Sequence, residues 1–133
     1  MNLNRRSFLF SSLLAGNLNI NKLDAKQIKP ELIKLGKTDL VIPNIGYGSS
    51  STSDEKIVKH AYDRGVRYFD TAESYLGGDA ESSIGNVLKA VRHQVVIGTK
   101  TKARNYQNKK DYMSALEGSL KRLNTDYIDI YYN

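Results

Sequence analysis

The chain contains no cysteine and only two histidines among its 133 residues. Disulfides and thiolate-ligated metals are therefore excluded. His60 and His93 stand apart, on segments that read as helical or linking, so they are taken as solvated surface residues and no metal site is expected. An aromatic-interleaved basic strip is also lacking. Lysines and arginines are scattered along the whole length, and the formal charge of +6 favours anions in general without pointing to nucleic acid. Apolar runs are short, and the segment near the start falls well below the about 20 residues needed to cross a bilayer, so stable membrane insertion is not expected. What remains is ordinary for a soluble globular domain, with 40% hydrophobic and 26% charged residues.

The first residues read separately from the rest. Asn4-Arg5-Arg6-Ser7-Phe8-Leu9-Phe10, followed by Ser11 to Gly16, has the paired arginines and weakly apolar stretch of a twin-arginine signal. Leu23-Asp24-Ala25 before Lys26 stands where a small-x-small cleavage site would be expected. Contact of residues 4–16 with the twin-arginine translocase and a periplasmic location follow as expectations. The plainer reading is a basic N-terminus on a cytoplasmic protein. Asparagine- and lysine-rich sequence without periodicity continues to Pro30, so residues 1–27 are read as signal and linker and residues 31–133 as folded.

Within the folded part, Leu32 to Leu35 and Leu40 to Pro43 flank a glycine-containing turn and predict a β-hairpin. Asn44 to Gly48 is the next strand. Thr52 and Glu55 then have the spacing of a capping box, which predicts a helix carrying Ile57, Val58, Ala61 and Tyr62 on one face and stopping at Arg64-Gly65. Val66 to Thr71 is a strand, followed by a helix from about Ala80 to Val91 with Ile84, Val87, Leu88 and Val91 in one stripe. Val95 to Thr99 reads as a buried strand. A helix over Lys109 to Leu123 lines up Met113, Leu116, Leu120 and Leu123, with Asn124 as a left-handed cap, and Tyr127 to Tyr132 is the last strand. The order, a hairpin and then β-α-β-α-β-α-β, is that of a parallel α/β fold.

Chemistry concentrates at strand ends. Asp70 closes the Tyr68-Phe69-Asp70 run, Tyr75 follows in a glycine-bearing loop, and Lys100 closes Val95 to Thr99 one βα repeat later. Neighbouring parallel strands would bring these ends about 5 Å apart. Taken alone, each residue is better explained as part of an ion pair at a sheet edge or as loop packing than as a catalytic group. Two other patterns compete. Gly46-Tyr47-Gly48-Ser49-Ser50-Ser51 approaches the G-x-G-x-x-G of a Rossmann dehydrogenase but lacks its third glycine. Tyr106 and Lys110 have a Tyr-x-x-x-Lys spacing in a polar loop with no upstream serine partner, and chance accounts for that.

Leu35-Gly36-Lys37-Thr38, Gly46-Tyr47-Gly48, Phe69-Asp70-Thr71-Ala72-Glu73-Ser74-Tyr75, Val96-Ile97-Gly98-Thr99-Lys100 and Ser119 to Leu123 leading into Asp126 to Tyr131 together resemble the N-terminal part of the aldo-keto reductases. The resemblance covers about residues 31–133. It implies the N-terminal half of a (β/α)8 TIM barrel with an opening β-hairpin, an α/β fold whose reactive groups gather at the C-terminal strand ends. It also implies NADPH-dependent hydride transfer to a small carbonyl substrate, with Asp70, Tyr75 and Lys100 catalytic and Gly48, Ser49, Asp70 and Lys100 beside the cofactor. Tyr75 would be the acid, Lys100 the ammonium that favours its phenolate, and Asp70 the group that keeps Lys100 in place and charged. The family's histidine would fall immediately after Asn133, and three βα units with a fourth strand stand here against the family's eight, so these residues alone are expected to be a truncated, inactive fragment. The alternatives are a non-catalytic remnant or NADP-binding module, and a Rossmann dehydrogenase with an open sheet and a helix starting directly after Gly48.

Overall fold

The computed structural model describes residues 30–102 and 108–132. The signal and linker assigned to residues 1–27 and the Tyr106 of the Tyr-x-x-x-Lys pair lie outside those residues. β1 (Leu32–Lys34) and β2 (Val41–Pro43) pair antiparallel with Ile33 opposite Ile42. The turn between them places Gly36 at φ 56°, and Thr38 Oγ1 donates to the Leu35 carbonyl at 2.7 Å.

The remaining strands, β3 (Tyr47–Gly48), β4 (Tyr68–Asp70), β5 (Val96–Lys100) and β6 (Ile130–Tyr132), form one parallel sheet whose spatial order is their chain order. Helices α1 (Glu55–Asp63), α2 (Asp79–Leu88) and α3 (Lys109–Leu123) connect them, α1 packing on α2 and α2 on α3. Right-handed crossovers between strands that never reverse order put every helix on the same side. A dinucleotide sheet reverses its order at the ligand crevice. None of that is seen here, and α1 begins at Glu55 rather than directly after Gly48, so the Rossmann alternative is overturned. The arrangement is the N-terminal portion of a (β/α)8 barrel.

The core lies between sheet and helices, where Val58, Phe69, Ile84, Leu88, Val95, Ile97 and Leu123 are buried together. Each such side chain contributes about 1.5–3 kcal/mol when fully buried. The pleat sends alternate residues the other way. On β4, Phe69 joins the core while Tyr68 and Asp70 face the inner side, and on β5, Gly98 and Lys100 do so in alternation with the outward Ile97 and Thr99. Two glycines make room for the Tyr68 ring on that inner side: a Cβ on Gly46 would come within 2.5 Å of its Cδ1, and one on Gly98 within 3.0 Å of its hydroxyl.

Three local expectations are corrected. Asp54 caps α1, its Oδ1 accepting from the Lys56 amide at 2.8 Å, while Thr52 Oγ1 accepts from Asp54 itself at 3.1 Å; the capping box at Thr52 and Glu55 does not form. α2 ends at Leu88 and continues as a 3-10 segment, Lys89–Gln94, because Val91 takes a non-helical φ of −122°. On α3 the buried face is Ala115, Ser119 and Leu123, and Met113 is left 44% exposed. At the C-terminal end of this face α2 comes close: a Cβ on Gly85 would lie 2.5 Å from the Leu123 carbonyl carbon.

Candidate active site

β4 and β5 end side by side, but Asp70 is in register with Gly98, so Lys100 lies one pleat beyond it on the same inner face. Its side chain reaches back across the strands. Lys100 Nζ donates to Asp70 Oδ1 at 2.7 Å and to the Thr71 carbonyl at 2.7 Å. The Tyr75 ring centre is 4.8 Å from the same nitrogen and that of Tyr132 is 6.0 Å away. Asp70, Tyr75 and Lys100 therefore meet around one ammonium. The side chains of Lys100 and Asp70 remain 30% and 33% exposed, so the pair is open to a ligand above the strand ends.

Backbone pairing carries Tyr75 to this place. Beyond β4, Thr71 donates to the Gly98 carbonyl at 2.9 Å and Glu73 to the Lys100 carbonyl at 3.1 Å, and Tyr75 then donates back to Ala72 at 3.1 Å. Leu76 at φ 52°, Gly77 at φ 69° and Gly78 at φ 101° turn the chain into α2. Left-handed backbone at a residue with a Cβ costs of order 1–3 kcal/mol and persists where surrounding contacts fix it.

Of the residues expected beside a cofactor, Gly48 is in register with Asp70, and a Cβ built on it meets nothing within 4 Å. Ser49 is buried, and its amide and hydroxyl both donate to the Asp70 carbonyl, each at 3.1 Å. It ties the end of β3 to β4 at the Asp70 backbone. His60 and His93 are exposed. Among the described residues no group of His, Cys, Asp or Glu is arranged to hold a metal ion, and no helix is long and apolar enough to cross a membrane.

Sequence reasoning missed several polar residues around the site. Glu81 is fully buried and accepts from Thr99 Oγ1 and from Arg122 Nε, each at 2.6 Å. A signal existed, since Glu81 stands three residues before Ile84 and seven before Leu88, on the apolar stripe of α2. Tyr68 and Tyr132 share a hydroxyl–hydroxyl bond of 3.2 Å on the inner face. Burial, followed by that bond and the nearby Tyr132 and Asp70, pushes the Tyr68 phenol well above its usual range. Near the other end of β5, Asp129 Oδ2 accepts from the Ile97 amide at 2.8 Å and from buried Arg92 at 2.6 Å, fixing β6 against β5.

The sequence profile of the Aldo/keto reductase family matches residues 42–133. The chain belongs to that family. An uncharacterized oxidoreductase, YqkF, of Bacillus subtilis is 36% identical, the match covering 74% of this chain and 37% of YqkF. The holo form of aldo-keto reductase AKR11C1 from Bacillus halodurans superposes with a TM-score of 0.66 at 32% identity, over 77% of this chain and 39% of that one. An aldo-keto reductase from Klebsiella pneumoniae, solved in complex with NADPH, gives a TM-score of 0.65 at 28% identity, over 78% and 39%. The chain thus spans about two fifths of the length of these relatives.

Proposed function

We propose that this chain carries the proton-donating side of an NADPH-dependent aldo-keto reductase acting on a small carbonyl or alcohol substrate. The observation that supports this most is the placing of one ammonium, that of Lys100, 2.7 Å from a carboxylate and 4.8 Å from a phenol ring. Asp70, Tyr75 and Lys100 are its catalytic residues. In the reduction, the Tyr75 hydroxyl gives its proton to the carbonyl oxygen, and the phenolate left behind is stabilised by the charge of Lys100. Asp70 holds that ammonium in place, accepting from it at 2.7 Å. In the reverse direction the phenolate takes the alcohol proton.

NADP(H) supplies the hydride when bound. The residues present suit such a group. Gly48 opens onto free space in register with Asp70, Ser49 fixes the backbone there, and Asp70 and Lys100 are a third exposed on the same side. Gly48, Asp70 and Lys100 would hold its nicotinamide end, with buried Ser49 fixing the backbone behind them. Binding of NADPH by the Klebsiella relative supports the choice of cofactor.

By themselves these 133 residues are proposed to be inactive, because the inner face stays open to water, with Tyr132 44% exposed. Two assays test the proposal. Purified protein should leave NADPH absorbance unchanged with a panel of aldehydes and ketones; turnover lost in Tyr75→Phe would refute the inactivity and keep the residue roles. Residues 31–133 grafted in place of the matching part of the NADPH-binding Klebsiella aldo-keto reductase should reduce a carbonyl and lose this in Tyr75→Phe. A folded graft that binds NADPH without turnover would favour a non-catalytic binding module instead. Export through the paired arginines at positions 5 and 6 is part of the same proposal, supported by the sequence Asn4 to Gly16.

A further inference from the structure

Tyr75 lies in the chain between two glutamates, Glu73 and Glu81, and Lys100 lies between two threonines, Thr99 and Thr101. Hydrogen bonds join the two sets. Thr101 Oγ1 donates to Glu73 Oε1 at 2.6 Å, and Thr99 Oγ1 donates to Glu81 Oε1 at 2.6 Å. The Glu73 carboxylate also takes the Lys102 amide at 2.8 Å, and the Glu73 amide donates to the Lys100 carbonyl at 3.1 Å. The loop that carries the phenol is therefore clasped to β5 on both sides of the lysine.

The Glu81 clasp is the costlier one. A fully buried carboxylate is unfavourable unless both oxygens are satisfied, and an apolar residue of similar size often serves stability as well or better. Here Oε1 takes the Thr99 hydroxyl and Oε2 takes Arg122 Nε at 2.6 Å. Arg122 in turn packs on Gly78, where a Cβ would meet its Cδ at 2.8 Å. Gly78, at φ 101°, is the residue on which the Tyr75 loop turns into α2. One carboxylate thus fixes the outward neighbour of Lys100 and the arginine that seats the end of the Tyr75 loop.

We infer that Glu81 is a positioning residue that sets the Tyr75–Lys100 contact through Thr99 on one side and Arg122 and Gly78 on the other, with Glu73 as the companion clasp. The inference rests on the roles proposed above for Tyr75 and Lys100. Thr99 points to the helices because Lys100 points inward, so holding the first fixes the pleat of the second. Gly78 cannot shift away from Arg122 without moving the turn that begins at Tyr75.

The test is a nuclear Overhauser measurement on the full chain, labelled with carbon-13 and nitrogen-15. The Tyr75 ring to Lys100 side-chain cross-peak reports the site, and the Tyr47 ring to Phe69 ring cross-peak reports the core, where the centroids are 5.6 Å apart. Glu81→Leu should lose the first and keep the second. Glu81→Gln, which keeps a Thr99 acceptor and a nearly native shape, covers the case in which the leucine variant does not fold; it should weaken the first peak with the second intact. Arg122→Lys should retain both, because its ammonium still pairs with Glu81. Survival of the Tyr75–Lys100 peak at full strength in a folded Glu81 variant, its loss only together with the core peak, its loss in Arg122→Lys, or its absence from the unsubstituted chain would each overturn the inference. Failure of the functional reading shows elsewhere, as a graft whose turnover survives Tyr75→Phe.

Discussion

Lys100 Nζ meets Asp70 Oδ1 at 2.7 Å across thirty residues of chain, yet both side chains remain about a third exposed. An ion pair so placed contributes little to folding, because water screens it. Asp70→Asn and Lys100→Met are each expected to lower unfolding free energy by less than about 1 kcal/mol, read from urea denaturation of the purified chain. In the Klebsiella aldo-keto reductase graft the same substitutions should lower kcat/KM for carbonyl reduction by about 10²–10⁴. Equal losses of stability and of activity, or a graft indifferent to Lys100→Met, would contradict the assignment of this pair to chemistry.

The βα order, the Asp70–Tyr75–Lys100 grouping and the end of α3 at Asn124, which takes φ 52° and ψ 48°, could all be read from the chain. They depend on local signals: apolar periodicity, a capping residue, an ionisable group closing an apolar run. What escaped depends on register and pleat. Tyr68 and Phe69 are both aromatic, and only pairing with the neighbouring strands shows that Phe69 enters the core while Tyr68 lies over Gly98. Met113 fits the helical stripe of α3 as well as Ala115 does, and the choice between them is set by how α3 packs on α2, a contact between elements that the stripe alone does not fix. The place of Glu81 on the apolar stripe of α2 was legible, but its partners were not, because Thr99 and Arg122 lie eighteen and forty-one residues away.

Gly85 and Gly48 should respond in opposite ways to the same change. A Cβ at Gly85 meets the Leu123 carbonyl carbon at 2.5 Å and the Arg122 carbonyl oxygen at 2.6 Å, both backbone atoms that cannot turn aside. Gly85→Ala must separate α2 from α3 and should destabilise by roughly 1–3 kcal/mol. Gly48→Ala meets nothing within 4 Å and should change stability by no more than about 0.5 kcal/mol. Because that free space borders Asp70, the alanine should raise the KM for NADPH in the graft while thermal melting stays put. Loss of melting temperature at Gly48 with an unchanged KM would remove Gly48 from the cofactor site.

The export reading separates charge from motif. Arg5→Lys combined with Arg6→Lys keeps the positive charge and removes the guanidinium pair. If the twin-arginine pathway reads these residues, fractionation of a host that has this pathway should find the original chain in the periplasm and the double variant in the cytoplasm. Identical distribution of the two forms would leave only a basic N-terminus.

Stability at high pH follows from Tyr68. Its phenol is held above the ordinary range, first by burial, then by the hydrogen bond and charge of Tyr132 and the charge of Asp70. Below about pH 10 the phenol is protonated in folded and unfolded chains alike, and it adds no pH dependence. Above that point the unfolded chain releases the proton and the folded chain keeps it. The unfolded state then binds fewer protons, and stability falls as pH rises. Tyr47 acts in the same direction, through burial and then the charge of Asp54. Tyr68→Phe gives up the 3.2 Å bond to Tyr132 and should cost about 0.5–1.5 kcal/mol near neutrality. Above about pH 10 the gap between variant and original should narrow, because phenylalanine has no proton to withhold, while Tyr47 keeps some slope in both. Circular-dichroism melts across that range provide the check; parallel curves at every pH would mean that Tyr68 ionises in the folded chain as readily as in the unfolded one.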